Sequence, residues 1–488
     1  MTVVELAAYA LLLAVAAAAI WRRPAVALYL FVVGLALHNA VMAALYEAGV
    51  RGSTLTAITA WKEILLAVAL VRVGRDALLD RRLPFRFSVV DVLALAFAAL
   101  VVVYALIPQS ALGGHATLHT VALAARHDLV PVAAYFLGRS LVLHAEQLRR
   151  LAWTLLGTAG FVAALGLADV YLVPISWWRT NGVVEYFHDH LGYDYHGTGV
   201  DPAHAGLPEN FIYNVGNDKP FLRRLVSTFL SPLGSGYLFV VALLVAVGVL
   251  RRRWAVPLGI VVFAGLLWTF SRSSLLALAV GVVVLGLLRR SRVEIVAAVA
   301  VVGVAVGWAH LFPKIAPTGN WTRADLAYQR AHARGGSSSD FSATSSSEPS
   351  LRSHWNALRG GVETMAHHPQ GYGLGNVGQT ASRTGTPLKA GESNYTELGV
   401  ELGVLGSLLW IAWGLALLAS LVRAGRADPF AAAAAAVFAA VLALAVQTDV
   451  IGDPWIAYCV WVFAGALAFR TRPEERLAAA RARPLALS

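Results

Sequence analysis

Residues 271–292 read SRSSLLALAVGVVVLGLLRRSR, an apolar run with one arginine before it and three arginines directly after it. A run of about 20 apolar residues is long enough to cross the hydrocarbon core of a membrane as a helix. Arginines at one end of such a run indicate its orientation, because basic residues are enriched on the cytoplasmic side. The stretch therefore predicts a membrane-spanning helix with a defined inside and outside.

The rest of the chain repeats this pattern. Of its 488 residues, 58% are hydrophobic and 14% are charged, and a mean hydropathy of +0.64 indicates too little polar surface for a soluble globule of this size. The first apolar run is followed by Trp21-Arg22-Arg23 and not by a small-residue cleavage site, so we expect a retained helix. Thirteen candidate spans lie near 4–21, 25–47, 54–73, 88–107, 118–138, 150–174, 227–250, 254–270, 273–288, 294–312, 396–421, 429–447 and 451–469.

Arginine positions orient the whole set. If the N-terminus lies outside, 23 arginines fall in or beside the inside segments, whereas the short outside turns contain only Arg51 and Arg272. The positive-inside rule is then met at every crossing. The same clusters account for the net charge of +11 without a nucleic-acid partner. The single cysteine, Cys459, cannot form an intramolecular disulfide or a zinc cluster alone.

This topology predicts an all-α, polytopic integral membrane protein with about 12–13 transmembrane helices. Two long extracytoplasmic loops, 175–226 and 313–395, are of a length that is usually functional or disordered. They separate N-terminal helices (1–174), central helices (227–312), and C-terminal helices with a cytoplasmic tail (396–488).

The second loop contains three kinds of segment. Residues 335–350, GGSSSDFSATSSSEPS, are of low complexity, and we expect them to be mobile. From His354 to His367 the pattern predicts an amphipathic helix on the membrane domain, with its apolar residues at three- and four-residue spacing. The glycines that follow lack the βαβ context of a dinucleotide fingerprint and predict a closely packed turn: Gly371, Gly373, Gly375 and Gly378.

Four stretches of the second half resemble the O-antigen ligase and O-antigen polymerase superfamily of membrane glycosyltransferases. They are RLVSTFLSPLGSGYL from Arg224, FSRSSLLAL from Phe270, HHPQGYGLGNVG from His367 and ESNYTELGVELGVLG from Glu392. The resemblance covers roughly residues 220–420. It implies an enzyme that transfers a lipid-linked glycan at the outer side of the cytoplasmic membrane.

The resemblance makes arginines the first candidates for the site. The pyrophosphate of a polyprenyl-linked glycan is a compact anion, and guanidinium groups can bind it with bidentate contacts. Arg272 begins a helix at an outside turn, where arginine is least expected; the alternative is that its side chain simply extends to the membrane interface. Of Arg223 and Arg224, the family pattern favours Arg224 for the site and leaves Arg223 as a further substrate-binding candidate. Arg352 precedes the predicted amphipathic helix, and it is either a further substrate-binding candidate or a solvated loop charge.

Glu392 stands where ligases resembling this chain have a histidine. A carboxylate in reach of an acceptor hydroxyl can remove its proton, so Glu392 is the candidate general base, with capping of the next helix as the alternative. Tyr395 in the same motif, and His367 with His368 before Pro369, are candidate substrate contacts.

Charges within the predicted spans need partners, since ionisable groups at membrane depth are costly. Lys62 and Glu63, together with Arg126, His127 and Asp128, are expected to pair between helices; in the alternative, Arg126 helps to bind the pyrophosphate. The cluster of His188, Asp189 and His190 is expected to contact sugars or cover the site rather than bind a metal.

The predicted reaction transfers a glycan from polyprenyl pyrophosphate to an acceptor hydroxyl, with inversion implied by the resemblance and with neither a metal nor another cofactor. Glutamate at position 392 favours a polymerase over a ligase. A flippase or transporter is the alternative from another class, although no internal repeat supports it. Expected partners are the lipid-linked oligosaccharide, membrane lipids, and a chain-length regulator and flippase of the same pathway; the expected location is a bacterial inner membrane.

Overall fold

The computed structural model describes residues 3–192, 211–213, 222–250, 253–318, 349–389 and 391–470. These residues form a bundle of helices, which confirms the predicted all-α fold. The helices are α1 (Val3–Arg22), α2 (Val26–Glu47), α3 (Gly52–Thr59), α4 (Trp61–Leu79), α5 (Val89–Leu106), α6 (Leu118–Ser140), α7 (Ala145–Leu172), α8 (Ile175–Thr180), α9 (Pro232–Val249), α10 (Ala255–Trp268), α11 (Arg272–Arg289), α12 (Arg292–Ile315), α13 (Pro349–His367), α14 (Gly378–Arg383), α15 (Asn394–Gly425), α16 (Pro429–Leu444) and α17 (Trp461–Leu467).

Each of the thirteen candidate spans coincides with helical structure, although the third, 54–73, is divided between α3 and α4. Across the described ranges, eight helical segments are long and apolar enough to cross a membrane, and four more are apolar but shorter. The remaining candidate, α6, is 23 residues long but carries Pro131 and the charged residues near Arg126. Before α17, a π-helical segment at Ile456–Val460 extends the last span.

Local sequence explains where the helices begin. Ser231, Ser271 and Ser393 precede α9, α11 and α15, and each serine side chain accepts a hydrogen bond from a backbone N–H in the first turn. Asp428 does the same for α16, and proline follows both Ser231 and Asp428, at a position where its missing N–H costs nothing. The predicted start of a helix at Arg272 is thereby confirmed.

The core of the bundle is densely aromatic in the C-terminal half. Trp413 of α15 stacks on Trp461 of α17, with ring centroids 4.5 Å apart, and Trp410 lies 5.1 Å from the same ring. Phe97 of α5 and Phe438 of α16 contact this cluster. The tryptophans are fully buried, so they fix the helices α5, α15, α16 and α17 as one unit.

The two long loops meet at one end of the bundle, called here the loop end. Ile212–Tyr213 and Leu222–Arg223 form a two-residue antiparallel ribbon that the sequence did not predict. Leu222 also bridges to Thr318, and Arg223 donates its backbone N–H to the Pro317 carbonyl at 2.8 Å. The end of the first loop is therefore joined to the start of the second.

The amphipathic helix begins earlier than predicted, at Pro349, and ends at His367 as expected. Residues 335–348 of the low-complexity stretch lie outside the described residues, whereas its last two residues belong to this helix. One face of α13 packs on α15, where a Cβ added at Gly361 would lie 2.7 Å from Thr396.

The predicted close packing of the glycine turn is confirmed. Tyr372 and Gly373 donate backbone N–H groups to the carbonyls of Val400 and Glu401, at 2.7 and 2.9 Å. α15 accommodates this contact because it is kinked at Gly403, with φ of 72°. The four glycines of the turn also have positive φ, a backbone conformation that favours glycine.

Ionisable groups inside the spans are paired between helices, as expected. Glu63 of α4 lies 3.5 Å from Lys62 and 3.5 Å from Arg126 of α6. At the opposite end of the bundle, Arg139 donates to the buried carboxylate of Asp91 at 2.9 Å. This pairing limits the cost of charge at membrane depth.

Replacing Gly371 by alanine tests the contact between the glycine turn and α15. A Cβ there would lie 2.4 Å from the Gly403 nitrogen and 2.6 Å from the Glu401 carbonyl, both backbone atoms with little freedom to move. Gly385 is the matched control, because its φ of +66° is similar to the +76° of Gly371 but no atom lies within 4 Å of an added Cβ. We expect Gly385→Ala to cost about 1 kcal/mol and Gly371→Ala to lower the unfolding temperature in detergent much further. Equal effects of both changes would contradict the close contact.

Candidate functional site

Arg224 and Arg272 lie at the same turn of the loop end. The Arg224 guanidinium donates Nε–H to the carbonyl of Thr269 at 2.9 Å, three residues before Arg272. The backbone of the next residue is tied to this turn as well, since Leu225 donates its N–H to Trp268 at 2.9 Å. Ser271 caps α11, so Arg272 occupies the first turn of a helix whose N–H groups favour an anion.

Arg223 faces away from that turn. Its guanidinium donates to the Val173 carbonyl at 2.5 Å and lies 3.4 Å from the carboxylate of Asp169, which also accepts from Trp178. Only 8% of Arg223 is exposed. Adjacent residues of an extended segment point to opposite sides, so this arginine fastens the first loop to α7 while Arg224 lies at the turn.

Glu392 lies just ahead of α15, beside a histidine from α13. The cap of α15 is Ser393, whose hydroxyl accepts from the Thr396 N–H, so the capping role is not taken by Glu392. The Glu392 carboxylate Oε1 is instead 2.8 Å from Nδ1 of His354, with side chains that are 40% and 30% exposed. The carboxylate is therefore accessible at the loop end and has an imidazole as its neighbour.

A buried polar network lies next to Glu392. Asn394 donates its side-chain amide to Asp449 and accepts the Val450 N–H at 2.9 Å. His127 of α6 lies between two carboxylates, with Nε2 3.0 Å from Asp449 and Nδ1 2.9 Å from Asp128. This network fixes the start of α15, two residues from Glu392, to α6 and to the loop before α17.

Asp449, Glu397 and Glu401 were not selected from the sequence. Both glutamates are buried in α15, and Glu401 accepts the Gly375 N–H at 2.7 Å, which links it to the glycine turn. The sequence signal that could have identified the two glutamates is their spacing: two carboxylates four residues apart in an apolar helix share one helix face. Asp449 gave no comparable signal, because its partners come from distant segments.

The arginine turn and the Glu392 region belong to the same end of the bundle. The start of α9 contacts both the helix that carries Arg272 and the loop that contains Asp449. A Cβ at Gly234 would lie 2.7 Å from the carboxylate of Asp453, and one at Gly236 would lie 2.8 Å from the Ser274 hydroxyl. Ser274 belongs to the first turn of α11, and Asp453 follows Asp449 in the loop before α17. Small residues thus allow these elements to approach closely.

The remaining candidates occupy varied positions at this end. Arg352 is exposed within α13, and the ring of His368 lies 3.9 Å from that of Tyr372. His367 is the last residue of α13, with Nδ1 2.7 Å from the Glu363 carbonyl. The hydroxyl of Tyr395 donates to Leu442 of α16 at 2.9 Å, and Arg126 pairs with Glu63 as described.

The acidic and histidine-rich segment of the first loop forms a π-helical turn, Tyr186–His190. Asp189 accepts from the Tyr46 hydroxyl at 2.6 Å and lies 2.8 Å from His188. Hydrogen bonding from His188 and Tyr46 lowers the pKa of Asp189 below its ordinary value. Within the described ranges, no group of three or more histidine, cysteine or carboxylate side chains is arranged to hold a metal ion.

Comparison with known families agrees with the resemblance found in the sequence. A family model described as O-antigen ligase matches residues 257–411, about a third of the chain. The match includes Arg272, Arg352 and Glu392, whereas Arg224 lies ahead of it. No curated protein matches the chain. The match supports an O-antigen ligase or polymerase type of function in general, and with the apolar helices it indicates a multi-pass membrane glycosyltransferase-like enzyme.

Replacing Arg223 by alanine tests whether this arginine fastens the first loop to α7. Arg223→Ala leaves the buried Asp169 without its cationic partner, and we expect a loss of about 3 kcal/mol in the free energy of unfolding. Arg359→Ala is the control, because Arg359 forms an exposed pair with Glu363 on α13 and its removal should leave stability unchanged. Thermal unfolding in detergent measures both variants. An unchanged transition for Arg223→Ala would mean that the pair with Asp169 contributes little.

Proposed function

We propose that the chain is a polysaccharide polymerase that transfers a glycan from polyprenyl pyrophosphate to an acceptor sugar hydroxyl at the outer side of the cytoplasmic membrane. The observation that carries this proposal is the position of Arg224 and Arg272 at one turn, at the same end of the bundle as Glu392. Arg272 and Glu392 also lie within the segment that matches the family model.

The arginine turn suits a pyrophosphate leaving group. Arg272 contributes a guanidinium at the first turn of α11, where backbone N–H groups and the helix dipole already favour negative charge. Arg224 adds a second guanidinium, only half-buried, whose Nε–H is oriented by the Thr269 carbonyl. Two cations at this turn stabilise the charge that develops as the anomeric C–O bond breaks.

Glu392 is the general base in this proposal. The acceptor oxygen attacks the anomeric carbon, a new C–O bond forms on the opposite face, the pyrophosphate leaves with the old bonding electrons, and the hydroxyl proton passes to the base. Pyrophosphate is a good leaving group, so the scheme requires no metal ion. General base catalysis of this kind contributes a factor of about 10² to 10⁴ in rate.

A ligase is the second candidate. The matching family model is described as O-antigen ligase, and a ligase would use the same arginines with a terminal acceptor in place of a growing chain. Glutamate in the position of the histidine found in similar ligases favours the polymerase. A transporter is less favoured, because the charges within α4 and α6 are paired with one another.

The first test uses the purified protein in detergent with an oligosaccharide on polyprenyl pyrophosphate as the sole substrate. We expect a ladder of longer products, resolved by gel electrophoresis, because a polymerase uses one lipid-linked repeat as donor and another as acceptor. Transfer that begins only after a terminal acceptor is added would identify a ligase. No transfer with any acceptor would exclude both enzymes.

The second test replaces Glu392 by glutamine, which preserves its size but removes the charge. We expect kcat to fall by a factor of about 10² to 10⁴, while the unfolding temperature stays near that of the wild type, because the side chain is 40% exposed. Glu363→Gln on α13 is the control and should retain full activity. Normal turnover of Glu392→Gln would remove this residue from the reaction.

A further inference from the structure

A groove between α1 and α4 lies at the opposite end of the bundle from Glu392 and is independent of the proposed function. Its volume is about 690 Å³, within the range of about 300 to 1,000 Å³ that is typical of small-molecule sites. From its apolar walls and the arginines at its mouth, we infer that this groove binds an anionic phospholipid of the cytoplasmic leaflet. An acyl chain lies along the walls, and the phosphate contacts the arginines.

The walls of the groove are apolar and come from both helices. They are formed by Ala17 and Ala18 of α1, and by Ile64, Ala67, Val68 and Val71 of α4. Because alanine side chains are short, space remains between the helices where larger residues would fill it. Ile64 and Val71 are also 39% and 61% exposed. Such an apolar surface on a membrane-spanning helix suits a hydrocarbon chain, which is as apolar as the side chains themselves.

Three arginines surround Trp21 at the mouth of the groove. Arg22 lines the groove itself, and the guanidinium carbons of Arg72 and Arg75 each lie 5.9 Å from the centroid of the Trp21 ring. Arg72 forms an ion pair with Asp76, whereas Arg22 and Arg75 are exposed. With three guanidinium groups and the Asp76 carboxylate, this cluster carries a positive charge that suits a phosphate.

The C-terminus of α1 lies at the same mouth, and the carbonyl groups of a helix C-terminus disfavour an anion. Arg72 offsets this effect, because its Nε–H donates to the Trp21 carbonyl at 2.8 Å. The same hydrogen bond ties the end of α1 to α4. The mouth is therefore held together by an arginine that also removes part of the repulsion toward a phosphate.

The position of the mouth along the chain assigns it to the cytoplasmic leaflet. Arg22 and Arg23 belong to one predicted inside segment, and Arg75 belongs to the next, residues 74–87. Trp21 is 39% exposed, as is typical of tryptophan at a membrane interface, where the phosphates of phospholipids lie. Basic pockets between helices on the cytoplasmic side suit anionic headgroups. A zwitterionic headgroup lacks the net charge that this cluster attracts.

The first experiment counts the lipids that the full chain retains in detergent. The protein is titrated with phosphatidylglycerol or with phosphatidylcholine of the same acyl chains, and bound lipids are counted by native mass spectrometry. We expect phosphatidylglycerol to bind about tenfold more tightly or better, because each arginine near an anionic headgroup contributes a factor of about five. Bound phosphatidylglycerol should also raise the unfolding temperature. Equal affinity for the two lipids would overturn the inference.

The arginines are tested by Arg22→Gln combined with Arg75→Gln, which removes the two exposed charges at the mouth. We expect the affinity for phosphatidylglycerol to fall about tenfold or more, with the affinity for phosphatidylcholine unchanged. The control combines Arg81→Gln with Arg82→Gln, which removes two exposed charges from the same inside segment and should bind phosphatidylglycerol as the wild type does. Equal losses in both double variants would indicate diffuse attraction to the surface and would overturn the site.

The apolar walls are tested by Ala67→Phe, which fills the groove and leaves every arginine in place. We expect it to lose phosphatidylglycerol binding, and Ala18→Phe on the facing helix should do the same. Both alanines are exposed, so the unfolding temperature in lipid-free detergent should stay near that of the wild type. Glycerol 3-phosphate should not displace the lipid. Full lipid binding by both phenylalanine variants, or displacement by glycerol 3-phosphate, would show that only a phosphate is recognised and would contradict a phospholipid site.

Discussion

The close backbone contact between the glycine turn and the kinked helix α15 is the constraint on which the loop end depends. Three hydrogen bonds join the two segments: Tyr372 to Val400, Gly373 to Glu401, and Val404 to Pro369, at 2.7, 2.9 and 2.9 Å. The kink at Gly403 frees these backbone groups from the regular helix pattern and the turn satisfies them. Because α13 leads directly into the turn, this contact also sets its position on α15, and so the distance between His354 and Glu392.

Arginines have different functions at the two ends of the bundle. Away from the loop end they orient the chain and complete its structure: Arg289 donates to the carbonyls of Val247 and Gly248 at the C-terminus of α9, and Arg470 pairs with Asp428 and the Leu143 carbonyl. The contact of Arg289 suits the negative end of the α9 dipole. At the loop end, Arg272 is instead at a helix N-terminus, where it adds to a positive field and favours an anion.

Buried polar groups connect the site to the bundle. His127, Asp449 and Asn394 tie α6 and the loop before α17 to the first turn of α15, and Glu401 ties the glycine turn to the same helix. In a low-dielectric interior these contacts are directional and costly to break. The network therefore keeps the segment that carries Glu392 in register with the rest of the loop end.

The sequence by itself determined the helical spans, the common end of the two long loops, the start of α11 at Arg272 and the close packing of the glycine turn. These features depend on local composition, since apolar length, arginine clusters, serine caps and glycine backbone freedom act within a few residues. The tertiary structure alone decided which way Arg223 and Arg224 face, that Asp449 joins His127, and that His354 meets Glu392. Those contacts join residues far apart in sequence, and they depend on the register of helices whose packing no local pattern specifies.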